Sequence, residues 1–472
     1  MKGKKIISLI CAITLLSLSA VPASANSAAP FWQGTEANGV VAKEGDIPII
    51  VENELLTFDL PTLPYARYKD NESFLAYDGK VTAEYTFYNP TDMTITATLL
   101  FPFGDSADYG VLPRDLQLER YGVYINGEKI QANIRHTDIL DYYHFDTNAH
   151  VATLHDKFVE DDFYSPDLTV TKYSYEIVGH SNPRAEFVVN IDHVGSERMI
   201  VLYDSHMGGY ITKSGGFCAS SSPTKNETKI VCFYVFGEPL TTLPDADWYR
   251  RNGMNPATKT DGEYRYLGTE TTTLYDFIFS KYNSEKGISE VDWYNACIAN
   301  FKNSEESSRA TRAIRHFYFG ATMRWYEYEV VFQPGEKIKN TVVAPMYPDI
   351  DADKKPYEYK YTYLLSPASC WANFGNLDIV INTPYEMSEV NIQGFEKTET
   401  GYKLSRVGLP QSEQEYEDLY FTLLNDGNTP LKEPGSSIKS TSKKGFFATI
   451  GAFFKNIFRS IAQFVKSIFS GS

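Results

Sequence analysis

Cysteine is scarce in this 472-residue chain, and none of its five copies belongs to a C-x-x-C pair. Such pairs are typical of zinc sites and redox motifs, so neither is indicated. A glycine loop for phosphate binding is also missing. The formal net charge of −16 argues against a nucleic-acid partner, because phosphate binding needs a basic protein surface. The sequence therefore indicates no cofactor, no metal site and no catalytic residue.

Long uncharged apolar runs are also rare, and one of them lies close to the start of the chain, over residues 6–21. Three lysines precede this run, and an Ala-Ser-Ala triplet of the kind cleaved by signal peptidase follows it. These are the three parts of a secretory signal peptide, which we predict over residues 1–25, with a mature chain from Asn26. We therefore expect a secreted, extracellular protein of a bacterium.

Export would permit disulfide bonds among the four cysteines that follow the signal peptide. Cys218 and Cys232 flank a turn-like stretch, ASSSPTKNET, and form the candidate pair. Closing a loop of this size stabilises a fold by roughly 3 kcal/mol in the chain-entropy model. Four buried thiols that pack as small apolar side chains are the open alternative.

Tyrosine is abundant, with 34 copies, and it favours β-strands. Several segments alternate apolar and polar side chains with a period of two, the pattern of a half-buried strand. The two runs that flank residues 89–92 predict a hairpin, and Asn126-Gly127 predicts a second one. Many short strands between Gly, Pro and Asn turns predict a mainly β protein built from β-sandwich-like domains.

One helical block interrupts the strands and is predicted to connect two β-sandwich-like domains. Ser289 and Asp292 have the spacing of a capping box, and apolar residues recur on one face of the helix that follows. A second helix is predicted to start at Ser304, because acidic residues occupy its first turn and arginines follow. The predicted organisation is an N-terminal β-rich domain over 26–240, a helical insert or connector over 241–319 and a C-terminal β-sandwich-like domain over 320–425.

Four stretches carry a likeness to known proteins: ANGVVAKEGDIPIIVENELLTFDL, VTAEYTFYNPTDMTITATLLFPF, WYEYEVVFQPGEKI and YTYLLSPASCWANFGNLDIVINTPY. In these stretches the chain resembles a family of secreted Firmicutes proteins that is catalogued only as a domain of unknown function. The likeness spans residues 35–425 and is carried by hairpin turns and by a Trp near a strand start. It implies a secreted, β-rich fold and assigns no catalytic residue.

Potential metal ligands are densest in residues 136–162, which hold half of the eight histidines together with seven carboxylates. The histidines are His136, His144, His150 and His155. Imidazole and carboxylate groups bind zinc and related metals, so an extracellular metal-dependent hydrolase is the alternative function. The histidine spacings match neither H-x-x-x-H nor H-E-x-x-H, the usual zinc-binding patterns. This mismatch favours a polar, partly helical segment that packs over a sheet.

The end of the chain, residues 443–472, contains no Asp or Glu although the whole protein is acidic. A linker rich in Gly, Ser, Pro and Lys is predicted over 426–445, and an amphipathic basic helix is predicted over 446–470. A transmembrane span needs about 20 apolar residues with few charges, and the cations within this helix make it a poor span. A helix that lies in the plane of an anionic membrane fits this composition best. Docking of the helix on the acidic body of the same protein is the alternative.

The predicted membrane-binding residues form an apolar face and a basic face. They are Phe447, Ile450, Phe454, Ile457, Phe458, Ile461, Val465, Ile468 and Phe469, with Lys443, Lys444, Lys455, Arg459 and Lys466. We therefore predict a secreted, non-enzymatic, cell-surface binding or structural protein that is peripheral on the outer face of the cell membrane. Its expected partners are anionic lipid, through the helix, and a protein or glycan ligand, through the β body.

Overall fold

The computed structural model describes residues 36–425 with gaps. The gaps are 64–77, 106–120, 139–146, 193, 204–205, 213, 253–254, 285–286, 309–310, 315–321, 352–353 and 413–414. Strands form most of the regular structure in this part of the chain, so the predicted mainly β fold is confirmed. The predicted signal peptide, linker and C-terminal helix lie outside the described residues and stay predictions.

The elements fall into three groups along the chain. The first group is β1 (Glu36–Asn38), β2 (Val41–Ala42), β3 (Ile47–Asp59), β4 (Lys80–Tyr88), β5 (Ile95–Asp105), β6 (Gly122–Ile125), β7 (Glu128–Ile130), β8 (Asn133–Asp138) and helix α1 (Thr147–Val151). The second group is β9 (Thr169–Val178), β10 (Ala185–Ile191), β11 (Arg198–Val201), β12 (Gly208–Ile211), β13 (Phe217–Ser221), β14 (Thr228–Gly237), β15 (Asp245–Asn252), β16 (Asn255–Lys259), β17 (Tyr264–Thr273), α2 (Leu274–Phe279), α3 (Glu290–Ser304), β18 (Glu306–Ser308) and β19 (Thr311–Ile314). The third group is β20 (Thr322–Phe332), β21 (Lys337–Pro345), β22 (Asp349–Asp351), β23 (Tyr357–Leu364), β24 (Trp371–Asn382), β25 (Glu386–Val390), β26 (Glu396–Lys397), β27 (Gly401–Val407), β28 (Gln411–Ser412), β29 (Glu415–Tyr416) and β30 (Leu419–Asn425).

The first and third groups share the sheets of one β-sandwich. Its largest sheet has the strand order β26-β27-β24-β3-β4-β21-β6-β7. Two smaller sheets, β2-β5-β20-β8 and β1-β23-β30-β25 with β22 beside β23, contribute to the same apolar core. Alternate side chains of each strand enter this core, which is the packing expected of two facing sheet layers.

The predicted boundaries of the two β domains do not match these sheets. Strand β3 is parallel to β24, and β4 and β5 pair with β21 and β20, so strands before residue 138 and after residue 322 belong to one sandwich. The alternation of side chains identifies each strand, but the choice of partner is set by burial between distant parts of the chain. The domain boundaries therefore could not be read from local patterns.

The predicted hairpin at residues 89–92 is wrong, although both of its strands are present. Strand β4 pairs with β3 and β21, whereas β5 pairs with β2 and β20, so this turn carries the chain from one sheet to another. Asn89 holds the turn, since its side-chain amide donates to the carbonyls of Met93 at 2.8 Å and Phe332 at 3.1 Å. The hairpin at Asn126-Gly127 is confirmed between β6 and β7.

The second group forms a separate three-layer unit. A five-stranded sheet, β12-β13-β10-β15-β16, packs on a six-stranded sheet, β17-β9-β14-β11-β19-β18. Helices α2 and α3 cover the other face of the six-stranded sheet through a second apolar core. Strands β15, β16 and β17 lie within residues 241–319, so the predicted helical insert is a mixed α and β segment.

Helix α3 confirms one helix prediction, whereas the next one is wrong. The Ser289 hydroxyl accepts a hydrogen bond from the Asp292 amide at 3.0 Å, as a capping residue does. The helix ends at Ser304, where the second helix was predicted to begin, and strands β18 and β19 follow. Strand β19 is parallel to β11 with Ala313 and Ile314 buried, so pairing within the sheet outweighs the helical charge pattern.

Candidate functional site

The predicted membrane-binding residues, from Lys443 to Phe469, lie outside the described residues, and their role stays a prediction. Among the helices that the structure describes, none is long and apolar enough to cross a membrane. The polar sites that can be built from described residues are in the sandwich and at its contact with helix α3.

The candidate disulfide between Cys218 and Cys232 does not form, and both residues are thiols. Cys218 lies on β13 and Cys232 on β14, in the two facing sheets of the three-layer unit. Their neighbours point into the core between those sheets: Phe217, Ala219, Val231 and Phe233. Side chains alternate along a strand, so each thiol points away from this shared core, on opposite sides of it, too far apart for a disulfide.

The described polar side chains of residues 136–162 hold this segment against helix α3. The side-chain amide of Asn300 donates to both carboxylate oxygens of Asp138 at 3.1 Å. The Lys302 ammonium donates to Asp161 at 3.0 Å, and Asn295 accepts from the Val159 amide at 2.8 Å. His144 lies outside the described residues. Across the described ranges, no group of three His, Cys, Asp or Glu side chains is placed to hold a metal ion.

A partly buried ionic cluster, in which Asp156 is exposed, joins this segment, the sandwich and helix α3. The Arg135 guanidinium on β8 donates to Asp292 at 3.0 Å, to Glu327 at 2.9 Å and to Asp156 at 2.9 Å. Lys43 adds a second cation, 2.8 Å from Glu327. Burial alone would lower the pKa of Arg135, but the hydrogen bonds and negative charge of Asp292 and Glu327 raise it, so the guanidinium stays charged.

Sequence patterns did not identify the ionic cluster because its charges lie far apart in the chain. Arg135 and Glu327 alternate with other residues in strands, where a charged residue ordinarily marks the exposed face. Both side chains are nearly buried here because the N-terminal turn of α3 covers this face of the sheet. The cluster has a structural role: its cations and carboxylates bond to one another and so hold helix α3 against the sandwich.

A second buried polar group lies in the centre of the sandwich. Glu54 on β3 is 1% exposed and neither carboxylate oxygen has a hydrogen bond of acceptable geometry. Burial raises its pKa to about 7, an effect that the nearby Tyr85 hydroxyl opposes only in part. The Tyr85 hydroxyl accepts from the Val40 amide at 3.2 Å and lies 3.3 Å from the Tyr363 hydroxyl. The buried Glu54 carboxyl group therefore binds a proton more tightly than an exposed Glu does.

A β-bulge explains why a carboxylate points into this core. The pairing of β3 with β4 shifts register between Val51 and Asn53. Before the bulge Ile49 and Val51 are buried, and after it Glu54 and Leu56 are buried. The extra residue moves the buried face by one position, so that Glu54 shares the inward face with the apolar residues that follow it.

An open groove of about 880 Å³ lies where three strands of the large sheet end or begin. We call it the strand-end groove, and its lining includes Asp59, Pro61, Lys80, Asn382, Pro384 and Glu399. The pairing of β24 with β3 and of β3 with β4 places Asn382, Asp59 and Lys80 in one row across the sheet. A smaller hollow of about 230 Å³ adjoins it and shares Pro384 and Glu399.

The polar groups of the strand-end groove are oriented by one another. The Asn382 amide donates to one Asp59 oxygen at 2.8 Å, and the Lys80 ammonium lies 3.6 Å from the other. The Thr400 hydroxyl donates to the side-chain oxygen of Asn382 at 3.4 Å. Asp59 and Lys80 are 35% and 41% exposed, so both remain accessible to a ligand. No local motif could have predicted this row, because it joins positions 59, 80 and 382.

Comparisons with known proteins leave the family of this chain open. No family model and no curated protein sequence matches it. Among solved structures, it is similar to a protein of Legionella pneumophila subsp. pneumophila str. Philadelphia 1 whose assignment as a nutrient binding protein is provisional. The identity is 10%, the TM-score is 0.34, and the match covers 84% of this chain and 72% of that chain. A similarity this distant establishes no function, and the resemblance to the Firmicutes family stays a prediction.

Proposed function

We propose that this protein is an exported, non-enzymatic binding protein that is attached to the outer face of an anionic membrane by a helix over residues 446–470. The composition of the end of the chain carries this proposal. Residues 443–472 hold basic and apolar side chains and no acidic ones, in a protein whose formal net charge is −16. Anionic lipid penalises Asp and Glu, whereas a helix docked on the protein itself has no need to exclude them.

A linker over 426–445, as the sequence predicts, makes attachment compatible with an acidic body. A flexible chain of this length has a root-mean-square span of about 25 Å. The Debye length at physiological ionic strength is about 8 Å. The body can therefore stay several Debye lengths from the lipid, where its repulsion by anionic headgroups is screened. The helix alone then makes contact with the membrane, through its apolar face and its Lys and Arg residues.

The mainly β body supplies the ligand-binding part of the proposed protein. The size of the strand-end groove, about 880 Å³, falls within the usual range for ligand sites. The expected ligand is an extracellular protein or glycan. The contacts of residues 136–162 with helix α3 favour a structural part for that segment, so the metal-dependent hydrolase is not our proposal.

Vesicle co-sedimentation tests the membrane attachment. The mature protein is expected to pellet with phosphatidylglycerol vesicles at low salt and to stay in solution with phosphatidylcholine vesicles. The variant Lys455→Glu/Arg459→Glu should bind at least tenfold more weakly, because each basic residue near the surface contributes about 1 kcal/mol. The matched control, Lys432→Glu/Lys439→Glu, makes the same charge change in the linker and should retain most of the binding.

The attachment proposal is wrong if the mature protein stays in solution with both kinds of vesicle. It is also wrong if the helix variant pellets as strongly as the mature protein, because the basic face would then contribute nothing. Equal losses in the helix and linker variants would indicate attraction by overall charge rather than an in-plane helix.

A further inference from the structure

We propose that the strand-end groove binds a neutral oligosaccharide. This inference narrows the proposed function, which names a protein or glycan as the ligand, and it rests on the part of that proposal that places the protein outside the cell. Its basis is the geometry of the groove, not the C-terminal helix.

Two carboxylates of the groove, Asp59 and Asp78, already accept hydrogen bonds from neighbouring side chains. The Asp59 carboxylate lies between the Asn382 amide, at 2.8 Å, and the Lys80 ammonium, at 3.6 Å. Asp78 accepts a hydrogen bond from the Thr62 hydroxyl at 3.0 Å. The lining carries three carboxylates and one ammonium, so its net negative charge disfavours an anionic ligand. A cationic ligand would have to compete with Lys80 for Asp59, whereas a neutral one can add hydrogen bonds to these contacts. The groove therefore favours a ligand that is polar and uncharged.

The polar atoms that remain suit hydroxyl groups in particular. A carboxylate has about four acceptor positions, an ammonium has three donors, and a carboxamide offers both kinds of group. In the row Asn382–Asp59–Lys80, acceptors and donors therefore alternate over the width of three neighbouring strands. A sugar hydroxyl donates and accepts at the same time, so adjacent hydroxyls of a ring can bond to such a row. Hydrogen bonds to charged groups are also the stronger ones.

The shape of the groove suits a chain of sugar units. Its mouth is open, and the adjoining hollow continues it past Pro384 and Glu399. Pro61 and Pro384 give rigid apolar surfaces against which the C–H faces of sugar rings can pack. A protein ligand would be expected to use an interface with an apolar, largely aromatic centre. Of the ten residues that line this groove, seven are polar or charged and one, Tyr121, is aromatic.

Binding of the mature protein to an array of immobilised neutral oligosaccharides, built from hexoses and N-acetylhexosamines, tests this proposal. At least one oligosaccharide should bind, and its affinity should fall roughly tenfold or more in Asp59→Asn, which removes a charge-assisted hydrogen bond. Glu399→Gln, at an exposed position, should weaken binding without a risk to folding. The matched control is Asp378→Asn, which lies on β24 four residues from Asn382 and outside the groove lining, and it should bind as the mature protein does.

Three results would overturn the proposal: no oligosaccharide binds, the groove variants bind as well as the control, or only protein or cationic probes bind. A melting curve for each variant separates a loss of the ligand site from a loss of the fold. The same preparations should still pellet with phosphatidylglycerol vesicles. Failure of oligosaccharide binding with intact vesicle binding rejects the groove assignment alone, and the reverse pattern rejects the membrane attachment alone.

Discussion

The substitution Glu54→Gln is expected to change the pH dependence of stability. Glu54 is buried in the sandwich core without a hydrogen bond of acceptable geometry, and its pKa is raised from 4.5 to about 7. The folded protein therefore holds this proton at pH values where the unfolded chain has released it. Glutamine has nearly the same shape and does not ionise, so the variant removes the proton linkage while keeping the packing.

The sign and size follow from the two pKa values. A carboxyl whose pKa is raised on folding contributes stability that is fully present below pH 4.5 and is lost as the pH rises through about 7. The difference of about 2.5 pKa units corresponds to about 3 kcal/mol, at 1.36 kcal/mol per unit. The native protein should therefore lose about 3 kcal/mol relative to Glu54→Gln between acidic and mildly basic pH.

Urea unfolding followed by tryptophan fluorescence at pH 5 and pH 8 measures this difference. The free energy of unfolding of Glu54→Gln, minus that of the native protein, should be larger at pH 8 than at pH 5. Glu52→Gln, at a partly exposed position of the same strand, is the control for removal of a carboxyl group. If the difference between Glu54→Gln and the native protein is the same at both pH values, the raised pKa is wrong.

Two further predictions concern helix α3. Arg135→Met leaves the buried Asp292 carboxylate without its cation and leaves Glu327 with Lys43 alone. It should lower the free energy of unfolding by about 3 kcal/mol in urea. A loss below about 1 kcal/mol would mean that water reaches the cluster. Ser289→Ala removes the side chain that caps the helix and should cost about 1 kcal/mol in the same assay. Ser289→Gly should lower the free energy of unfolding by only a few tenths of 1 kcal/mol. Equal losses of stability in the two variants would contradict the capping role.

Local patterns predicted the strands well and their pairing poorly, and two turns show why. Asn126 and Gly127 both have positive φ, at 50° and 86°, which matches the twist of adjacent antiparallel strands and forces a hairpin. The turn at residues 89–92 has no such constraint. Both of its flanking strands have an apolar face, and they bury those faces in the sandwich core as members of different sheets. The chain between them therefore changes sheets instead of forming a ladder.

The polar sites were harder to predict than the strands because each is assembled from distant positions. The strand-end groove joins Asp59 and Asn382, and the ionic cluster joins Arg135 and Asp292. Glu54 had a usable signal, because it shares the period-two phase of the apolar residues that follow it in β3. Recognising that phase required the bulge between Val51 and Asn53, which has no marker in the sequence.

The position of the three-layer unit between the two groups of sandwich strands has a consequence for the order of folding. Asp59 and Asn382 touch across neighbouring strands although 323 residues separate them in the chain. A chain that emerges from the ribosome in order presents β3 long before β24 exists to pair with it. The three-layer unit can complete its own sheets in the meantime, since its partners lie within residues 169–314. Until β24 is made, the sandwich strands that precede it have unpaired edges, and such edges favour aggregation. The interval in which this protein is prone to aggregate therefore falls during its synthesis, before β24 has been made.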